Sequence, residues 1–259
     1  MRFGPVSSQQ RAQRIAAPIR MAAFMHEAAS AGDAETLRRL LDQGVSPEDV
    51  ALLYGGRTPL HWLCYSSNEG GDRIACFELL RAAGAKLDAT DREGCVPLHY
   101  AVQKRSSSLA SLLIEAGVNV NVTNLYGATP LHYAGKCGSE TTVAMLIKAG
   151  AEVNAKDDWG KRPLHNARDY NRTRICPILL RAGATLVPCP KCEPPRPHLP
   201  LSRRTSTEQY LRRVTDAGGF KEYRYNHLVK FTATCASKLR LPAAPARLVA
   251  EFWGHAGYY

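Results

Sequence analysis

The stretch Thr129-Pro130-Leu131-His132 opens one copy of a unit that occurs four times in the chain. The same four positions read Thr58-Pro59-Leu60-His61, Val96-Pro97-Leu98-His99 and Arg162-Pro163-Leu164-His165 in the other copies. Consecutive histidines of this motif are 38, 33 and 33 residues apart, so the period is 33 with one expansion of five. A fixed period of this length is typical of a repeat architecture.

A second motif keeps the same period, a pair of branched apolar residues followed by glycine. Its copies are Leu79-Leu80 before Gly84, Leu113-Ile114 before Gly117, Leu146-Ile147 before Gly150 and Leu179-Leu180 before Gly183. Proline is well suited to the first position of a helix, after a threonine N-cap. Glycine readily takes the left-handed conformation that ends a helix. Each repeat is therefore predicted to be a pair of helices.

These two motifs together resemble the ankyrin repeat family, whose units read roughly D-x-x-G-x-T-P-L-H-x-A-A-x-x-G and then V-x-x-L-L-x-x-G-A-x-x-N. The resemblance implies an all-α solenoid of helix-turn-helix repeats joined by extended turns. The predicted units are 53–90, 91–123, 124–156 and 157–187, after an N-terminal capping unit, 21–52, that lacks the Thr-Pro pair. Arg162 and Arg168 replace a threonine and a small residue in the last unit, as suits a terminal repeat with a polar outer face.

The chain of 259 residues divides into four predicted segments, one of which is this repeat domain, 21–187. Residues 1–20, with four arginines and no acidic residue, are expected to be disordered. Residues 188–206 form a proline-rich linker, and residues 207–259 form a smaller helical unit. The net charge of +11 is concentrated at the two ends, because residues 21–189 contain 18 basic and 18 acidic side chains.

Apolar patterning points to an intracellular protein. No apolar run approaches the ~18 residues of a membrane span, and residues 1–20 have no compact apolar core of a signal peptide. The expected location is the cytoplasm, the nucleus or both. Eight cysteines in a chain of this length are too few for a disulfide scaffold and are interpreted as thiols.

No residue pattern supports catalysis, and no cofactor is expected. Equivalent residues of neighbouring repeats lie about 8–10 Å apart, too far for the four motif histidines to share a metal ion. The resemblance implies instead that each histidine bonds to the threonine of its own motif and to the neighbouring loop. Cys189-Pro-Lys-Cys192 has the spacing of half a zinc site, with His198 as a conceivable third ligand, but no second Cys-x-x-Cys follows, so the two cysteines are interpreted as linker thiols.

A stack of such repeats presents a long surface made of turn tips and the exposed faces of the first helices, so a protein partner bound by a monomer is the expected function. The resemblance implies partner contacts at the second, third, fifth, thirteenth and fourteenth positions of each unit. Aromatic and basic side chains, the usual anchors of protein interfaces, are frequent there, although turn aromatics also pack on adjacent turns. The predicted contact residues are Tyr54, Arg57, Tyr65, Arg92, Glu93, Gln103, Lys104, Leu125, Tyr126, Lys136, Asp158, Trp159, Lys161, Asp169 and Tyr170.

Residues 207–259 do not continue the repeat. Their apolar spacing weakly resembles a SOCS box, in which three residues four apart enter elongin C and a Leu-Pro element contacts a cullin. This resemblance implies a substrate receptor of a ubiquitin ligase, with the adaptor-binding residues Phe231, Cys235, Leu239, Leu241 and Pro242. An F-box-like module and a small helical core that only covers the last repeat are the alternatives.

The basic ends of the chain also permit a different class of function, that of a nuclear or nucleic-acid-associated regulator. The residues that would serve it are Arg2, Arg11, Arg14 and Arg20 at one end, and Arg203, Arg204, Arg212 and Arg213 near the other. Solvated tails are the alternative for these arginines.

Overall fold

The computed structural model describes residues 21–48, 55–66, 72–137, 139–185 and 206–223. Within them the chain is helical and contains no strand, which confirms the all-α solenoid. Helix α1 includes residues 21–31. The later helices are α2 (Ala34–Asp42), α3 (Pro59–Tyr65), α4 (Arg73–Ala82), α5 (Pro97–Gln103), α6 (Ser107–Glu115), α7 (Pro130–Cys137), α8 (Glu140–Lys148), α9 (Pro163–Asp169), α10 (Ile175–Arg181) and α11 (Ser206–Asp216).

The helix boundaries follow the two sequence motifs. Helices α3, α5, α7 and α9 each begin at the motif proline. The glycine after each Leu-Leu or Leu-Ile pair has φ between 83° and 92°. That left-handed turn lets the next amide donate back to the carbonyl of the helix, as from Ala151 to Leu146 at 2.9 Å. This six-to-one bond is the Schellman closure that satisfies the helix C-terminus.

Packing between repeats stabilises these short helices. Helices of seven to ten residues are marginal on their own in water, so most of their stability comes from burial of an apolar face. The motif leucines Leu60, Leu98, Leu131 and Leu164 are at most 2% exposed, and the leucines of the second motif pack against them. Full burial of one such side chain contributes about 2 kcal/mol. The core is therefore a continuous apolar seam along the stack.

A ladder of histidines links each repeat to the next. In the second unit the Thr58 amide donates to His61 Nδ1 at 3.1 Å, and His61 Nε2 donates to the carbonyl of Cys95 in the following turn at 3.0 Å. The Thr58 hydroxyl lies 2.8 Å from the same Nδ1 atom. The predicted bonds to the motif threonine and to the neighbouring loop are thus confirmed at His61 and His132, whereas at His99 the backbone amide of Val96 alone donates to Nδ1. The same bridge joins His99 to the Ala128 carbonyl and His132 to the Lys161 carbonyl.

Asparagines join the turns that follow the second helices of neighbouring repeats. Asn121 donates to the Gly150 carbonyl at 3.1 Å and accepts from the Glu152 amide at 2.7 Å. Asn154 makes the equivalent pair with the Gly183 carbonyl and the Thr185 amide. Backbone groups in the turns are thus satisfied by the adjacent repeat.

Helix α11 lies against the last repeat. Leu211 and Val214 are buried there, and α11 ends before Gly218 and Gly219, both of which have positive φ. The sequence predicts a helix to about Ala217 and a break at this glycine pair, in agreement with these bounds. Residues 1–20, 186–205 and 224–259 lie outside the described residues, as do most of the predicted linker and the predicted adaptor-binding residues.

Candidate functional site

The tips of the extended turns that precede α5, α7 and α9 are rigid. One polar side chain at the base of each tip accepts hydrogen bonds from two backbone amides. Asn124 Oδ1 accepts from the Tyr126 amide at 3.0 Å and the Ala128 amide at 2.9 Å. Asp91 and Asp157 make the equivalent bonds in the flanking repeats. Backbone bonds also connect neighbouring tips, as from the Leu125 amide to the Glu93 carbonyl at 2.9 Å. The tips thus form one continuous edge.

Large apolar side chains are exposed on this edge. Leu125 is 68% exposed, and Tyr126 and Trp159 are each 47% exposed. The Tyr126 and Trp159 rings stack with their centroids 5.7 Å apart and their planes at 22°. These aromatics therefore pack on the adjacent turn and still present one face to solvent. We call Leu125, Tyr126 and Trp159 the tip patch.

Arg57 lies in an internal polar cluster at the N-terminal part of the stack. Its Nε donates to Asp91 Oδ2 at 3.3 Å and its Nη2 donates to the Tyr100 hydroxyl at 2.9 Å. The Tyr100 hydroxyl in turn donates to Asp91 Oδ2 at 2.5 Å. Burial alone would raise the pKa of Asp91, but the bonds from Tyr100, the Cys95 and Glu93 amides and Arg57 hold that pKa below its usual value. The ion pair with Asp91 keeps the Arg57 side chain largely inside the molecule.

Two lysines lie over tyrosine rings at the C-terminal ends of the first helices. Lys104 Nζ is 4.0 Å from the centroid of Tyr65, and Lys136 Nζ is 5.1 Å from that of Tyr170. Tyr65 also has the Arg57 guanidinium 5.0 Å from its centroid. Tyr170 is 47% exposed. A cation over an aromatic face is held by the ring quadrupole.

In the last repeat an ion pair crosses from the tip to the first helix. Lys161 Nζ contacts Asp169 Oδ2 at 2.8 Å, and Arg168 contacts Asp169 Oδ1 at 2.8 Å. Burial would raise the pKa of Asp169, but these two cations and their hydrogen bonds lower it. The Asp169 charge is therefore compensated within the chain.

The predicted contact residues fall into three groups in the structure. The tips carry Arg92, Glu93, Leu125, Tyr126, Asp158 and Trp159, all exposed, and the helix ends carry Tyr65, Gln103, Lys104, Lys136 and Tyr170. Arg57, Lys161 and Asp169 are engaged in the internal pairs described above. Tyr54 lies outside the described residues, as do Phe231, Cys235, Leu239, Leu241, Pro242, Cys189, Cys192 and His198.

Three of the motif histidines, His61, His99 and His132, are neutral structural groups. Burial lowers the pKa of His99 to about 4 and also lowers the pKa values of His61 and His132. Burial raises the pKa of the Cys64 thiol to about 12 and that of Cys76 to about 11. No group of three or more His, Cys, Asp or Glu side chains suited to a metal ion occurs among the described residues. In the same part of the chain, no helix is long and apolar enough to cross a lipid bilayer.

Several of these contacts are not predicted by the sequence. His26 extends the histidine ladder to the N-terminal unit, with Nε2 2.9 Å from the Arg57 carbonyl oxygen, although its motif lacks Thr-Pro. The spacing of 35 residues between His26 and His61, close to the repeat period, is the signal that could have predicted this contact. The Arg57–Asp91–Tyr100 cluster has no local signature, because its members are 9 to 43 residues apart in sequence.

Comparison with known proteins identifies the same repeats. A family model for ankyrin repeats (three copies) matches residues 63–157 and 127–188. The chain is similar to inversin of Danio rerio, with 33% identity over 90 residues, which is 35% of this chain and 8% of that protein. Inversin of Gallus gallus is 34% identical over 94 residues, 36% of this chain and 8% of the relative. The similarity thus spans less than a tenth of these relatives' length.

Residues 63–188 of the chain therefore consist of ankyrin repeats. The ankyrin repeat is generally a non-enzymatic fold that serves as a protein–protein interaction module. A protein partner is therefore the class of ligand that this stack indicates.

Proposed function

We propose that this protein is a non-enzymatic, monomeric binding module that holds a protein partner on its turn tips and concave helix face. The tip patch is the observation on which the proposal depends. Three large apolar side chains, 47% to 68% exposed, lie next to one another on a rigid edge. Aromatic side chains in such a setting bury much area at a small cost in conformational entropy.

The rigidity of the edge supports the proposal. Each tip is held by two amide bonds to its base and by backbone bonds to its neighbours. A surface that is already ordered loses little conformational entropy on binding, so more of the contact energy remains as affinity. Placement in the cytoplasm or nucleus, where such modules meet their partners, belongs to the same proposal.

Affinity capture with the full-length protein tests this function. Partners should be recovered with the wild type and reduced at least tenfold in yield with a Tyr126→Ala/Trp159→Ala variant. Ile74→Ala is the matched control, because Ile74 is 52% exposed on the second helix of its repeat, α4, away from the tips. If the double variant captures the same partners as the wild type, with thermal unfolding unchanged, the tip patch is not the binding surface.

The more specific form of the proposal makes the protein a substrate receptor of a cullin-type ubiquitin ligase. It depends on the spacing of Phe231, Cys235 and Leu239 and on the following Leu241-Pro242. The packing of α11 supports it indirectly, because Leu211 and Val214 fix the beginning of the C-terminal unit on the last repeat. A receptor needs such a fixed geometry between substrate and ligase.

Co-expression with elongin B and elongin C tests the ligase role. The complex should co-purify with the wild type and be lost with Phe231→Ala/Cys235→Ala. Ser237→Ala, a small change in the same stretch but off the four-residue spacing, should leave it intact. Absence of elongin C from the wild-type preparation would remove this role and leave the binding module in place.

The basic chain ends suggest the alternative of nucleic-acid association. Within the described stack, several predicted contact cations are engaged by the protein itself, such as Arg57 with Asp91 and Lys161 with Asp169. That arrangement favours a protein partner. Binding of a DNA or RNA duplex whose affinity falls steeply with salt concentration would favour the alternative.

A further inference from the structure

A cluster of cations surrounds the C-terminal end of α7, the end of this helix away from the turn tip that precedes it, on the concave surface that tips and first helices form together. Arg105, just after α5, donates to the Cys137 carbonyl, and Arg172, after α9, donates to the Lys136 carbonyl at 2.9 Å. Lys104 and Lys136 lie over tyrosine rings beside them. We call Lys104, Arg105, Lys136 and Arg172 the basic wall.

The carbonyl contacts explain why the cations gather here. The last carbonyls of a helix have no partner within the helix and carry partial negative charge. Guanidinium groups from both neighbouring repeats satisfy those of α7. Burial raises the pKa of the Cys137 thiol, and the positive charges of all four cations of the basic wall partly offset that rise. The four cations therefore all lie near Cys137, at the end of α7.

The cations of the basic wall differ from the other cations of the groove because no acidic side chain of the described residues pairs with them. Arg57 pairs with Asp91, and Lys161 and Arg168 pair with Asp169. None of the four cations of the basic wall forms an ion pair with an acidic side chain among the described residues. Lys136 and Arg105 are exposed, so their charge faces solvent.

The two walls of the groove therefore differ in chemistry. The tip edge offers apolar surface, with the acidic Glu93 and Asp158 and the single cation Arg92 beside it, so acidic groups outnumber basic ones there among the described residues. The opposite wall offers the four positive charges of the basic wall. We propose that the partner segment held in this groove is an acidic peptide, whose carboxylates face the basic wall and whose apolar side chains contact the tip patch. This inference deepens the proposed function and depends on it.

Charge complementarity is the physical basis of this proposal. Carboxylates placed within about 4–6 Å of cations that lack an acidic partner steer association and fix the orientation of the segment. A basic peptide would place its charges against the same wall and be repelled. The orientation follows as well, since reversal would bring the carboxylates next to Glu93 and Asp158.

Selection from a random peptide library tests the proposal before any partner is identified. Displayed 12-residue peptides are selected on the full-length wild type, on Lys104→Glu/Lys136→Glu and on the control Lys148→Glu. Lys148 is an exposed lysine in the last turn of the second helix α8, so the control changes charge away from the groove. Lys104 and Lys136 are chosen because, unlike Arg105 and Arg172, their side chains donate to no helix carbonyl in the described structure.

Peptides selected on the wild type and on Lys148→Glu should be enriched at least threefold in Asp and Glu, and those selected on the double variant should lose this bias. Individual acidic peptides should bind the double variant at least tenfold more weakly, with thermal unfolding unchanged. Enriched peptides without acidic bias, or with a bias that survives in the double variant, would overturn the inference and leave the binding module standing. No enriched peptide on any form would contradict the proposed function itself.

Two further probes separate the peptide from other polyanions. A 20-base-pair DNA duplex and phosphatidylserine vesicles are offered to the same three forms. Weak binding that is equal in the wild type and the double variant supports the peptide. Binding of either probe that exceeds that of the selected peptides and is lost in the double variant would reassign the basic wall to that polyanion and overturn the proposal.

Discussion

At the scale of single residues, Gly135 shows how closely two helices of the stack approach. A Cβ atom at this position of α7 would lie 2.6 Å from the Pro163 carbonyl oxygen at the start of α9. The equivalent residue in the preceding repeat is Val102, which is fully buried, so the position does not require glycine everywhere. Glycine is needed only where α7 meets the backbone of α9.

Gly135→Ala should therefore destabilise the protein by about 1–3 kcal/mol, the usual cost of overpacking. Helix propensity alone would give the opposite change in the free energy of unfolding, because alanine is favoured over glycine by about 1 kcal/mol within a helix. The free energy of unfolding in urea measures the effect. Ser108→Ala, at an exposed position of α6, isolates propensity and should be neutral or slightly stabilising. A Gly135→Ala variant more stable than the wild type would show that α7 and α9 separate without cost.

The same position marks the limit of what the sequence predicts. The family pattern predicts a small residue after the motif alanine, and position 135 conforms to it. The identity of the opposing atom depends on the distance between α7 and α9, which no local pattern specifies. The stacked Tyr126 and Trp159 rings are a similar case, since the sequence predicts two exposed tip aromatics but not their mutual contact.

At the scale of elements, the attachment of α11 depends on one asparagine of the last repeat. Asn171 has φ of 54°, a left-handed conformation that asparagine tolerates better than most residues. Its Oδ1 accepts from the Thr207 amide at 3.1 Å, the Thr207 hydroxyl at 2.7 Å and the Ser206 hydroxyl at 3.1 Å. The first turn of α11 is thus capped by a residue that lies 36 positions before Thr207 in the chain.

Asn171→Gly should loosen α11 while it preserves the backbone turn. Loss of an N-terminal cap costs about 1 kcal/mol, and the change should appear as faster amide hydrogen exchange at Leu211 and Val214. Exchange within α7 should stay the same. Asn171→Asp retains the acceptor oxygen and serves as the control. Unchanged exchange in α11 of the glycine variant would mean that apolar packing alone holds the helix.

The elements differ in how well the sequence predicts them. Helix starts at proline and helix ends at glycine are predicted correctly in four repeats, because both residues act on their own backbone conformation. The cap on α11 is not predicted, because Asn171 and Thr207 meet only through the fold. Sequence patterns therefore predict the repeat unit better than the contacts between units.

At the scale of the whole molecule, the histidine ladder makes the stack sensitive to acid. At His61, His99 and His132, Nδ1 accepts an amide of its own motif and Nε2 donates to the next repeat, an arrangement that requires neutral imidazole. In a linear repeat protein, stability depends on the interfaces between neighbours. Protonation of one histidine weakens one interface, and protonation of several weakens successive interfaces.

The free energy of unfolding should be nearly constant between about pH 7 and 7.5 and should fall as the pH decreases from 6.5 towards 4. The folded pKa of His99 is about 4, whereas the ordinary value is 6.5, so within this window the unfolded chain binds the extra proton. His99 alone then accounts for a loss of about 3 kcal/mol in the free energy of unfolding across this window. The lowered pKa values of His61 and His132 act in the same direction. Asp91 and Asp169 titrate below this window, since their pKa values are lowered from 3.8.

Urea unfolding at a series of pH values from 7.5 to 4.5 measures this dependence, and His99→Gln supplies the control. The glutamine amide does not titrate, so the variant should be less stable at pH 7.5 but should lose less stability on acidification. The difference in slope should approach about 1.4 kcal/mol per pH unit, the value for one proton. Equal slopes in the two proteins, or a wild type whose stability rises as the pH falls from 6.5 to 4.5, would contradict a ladder that depends on neutral histidines.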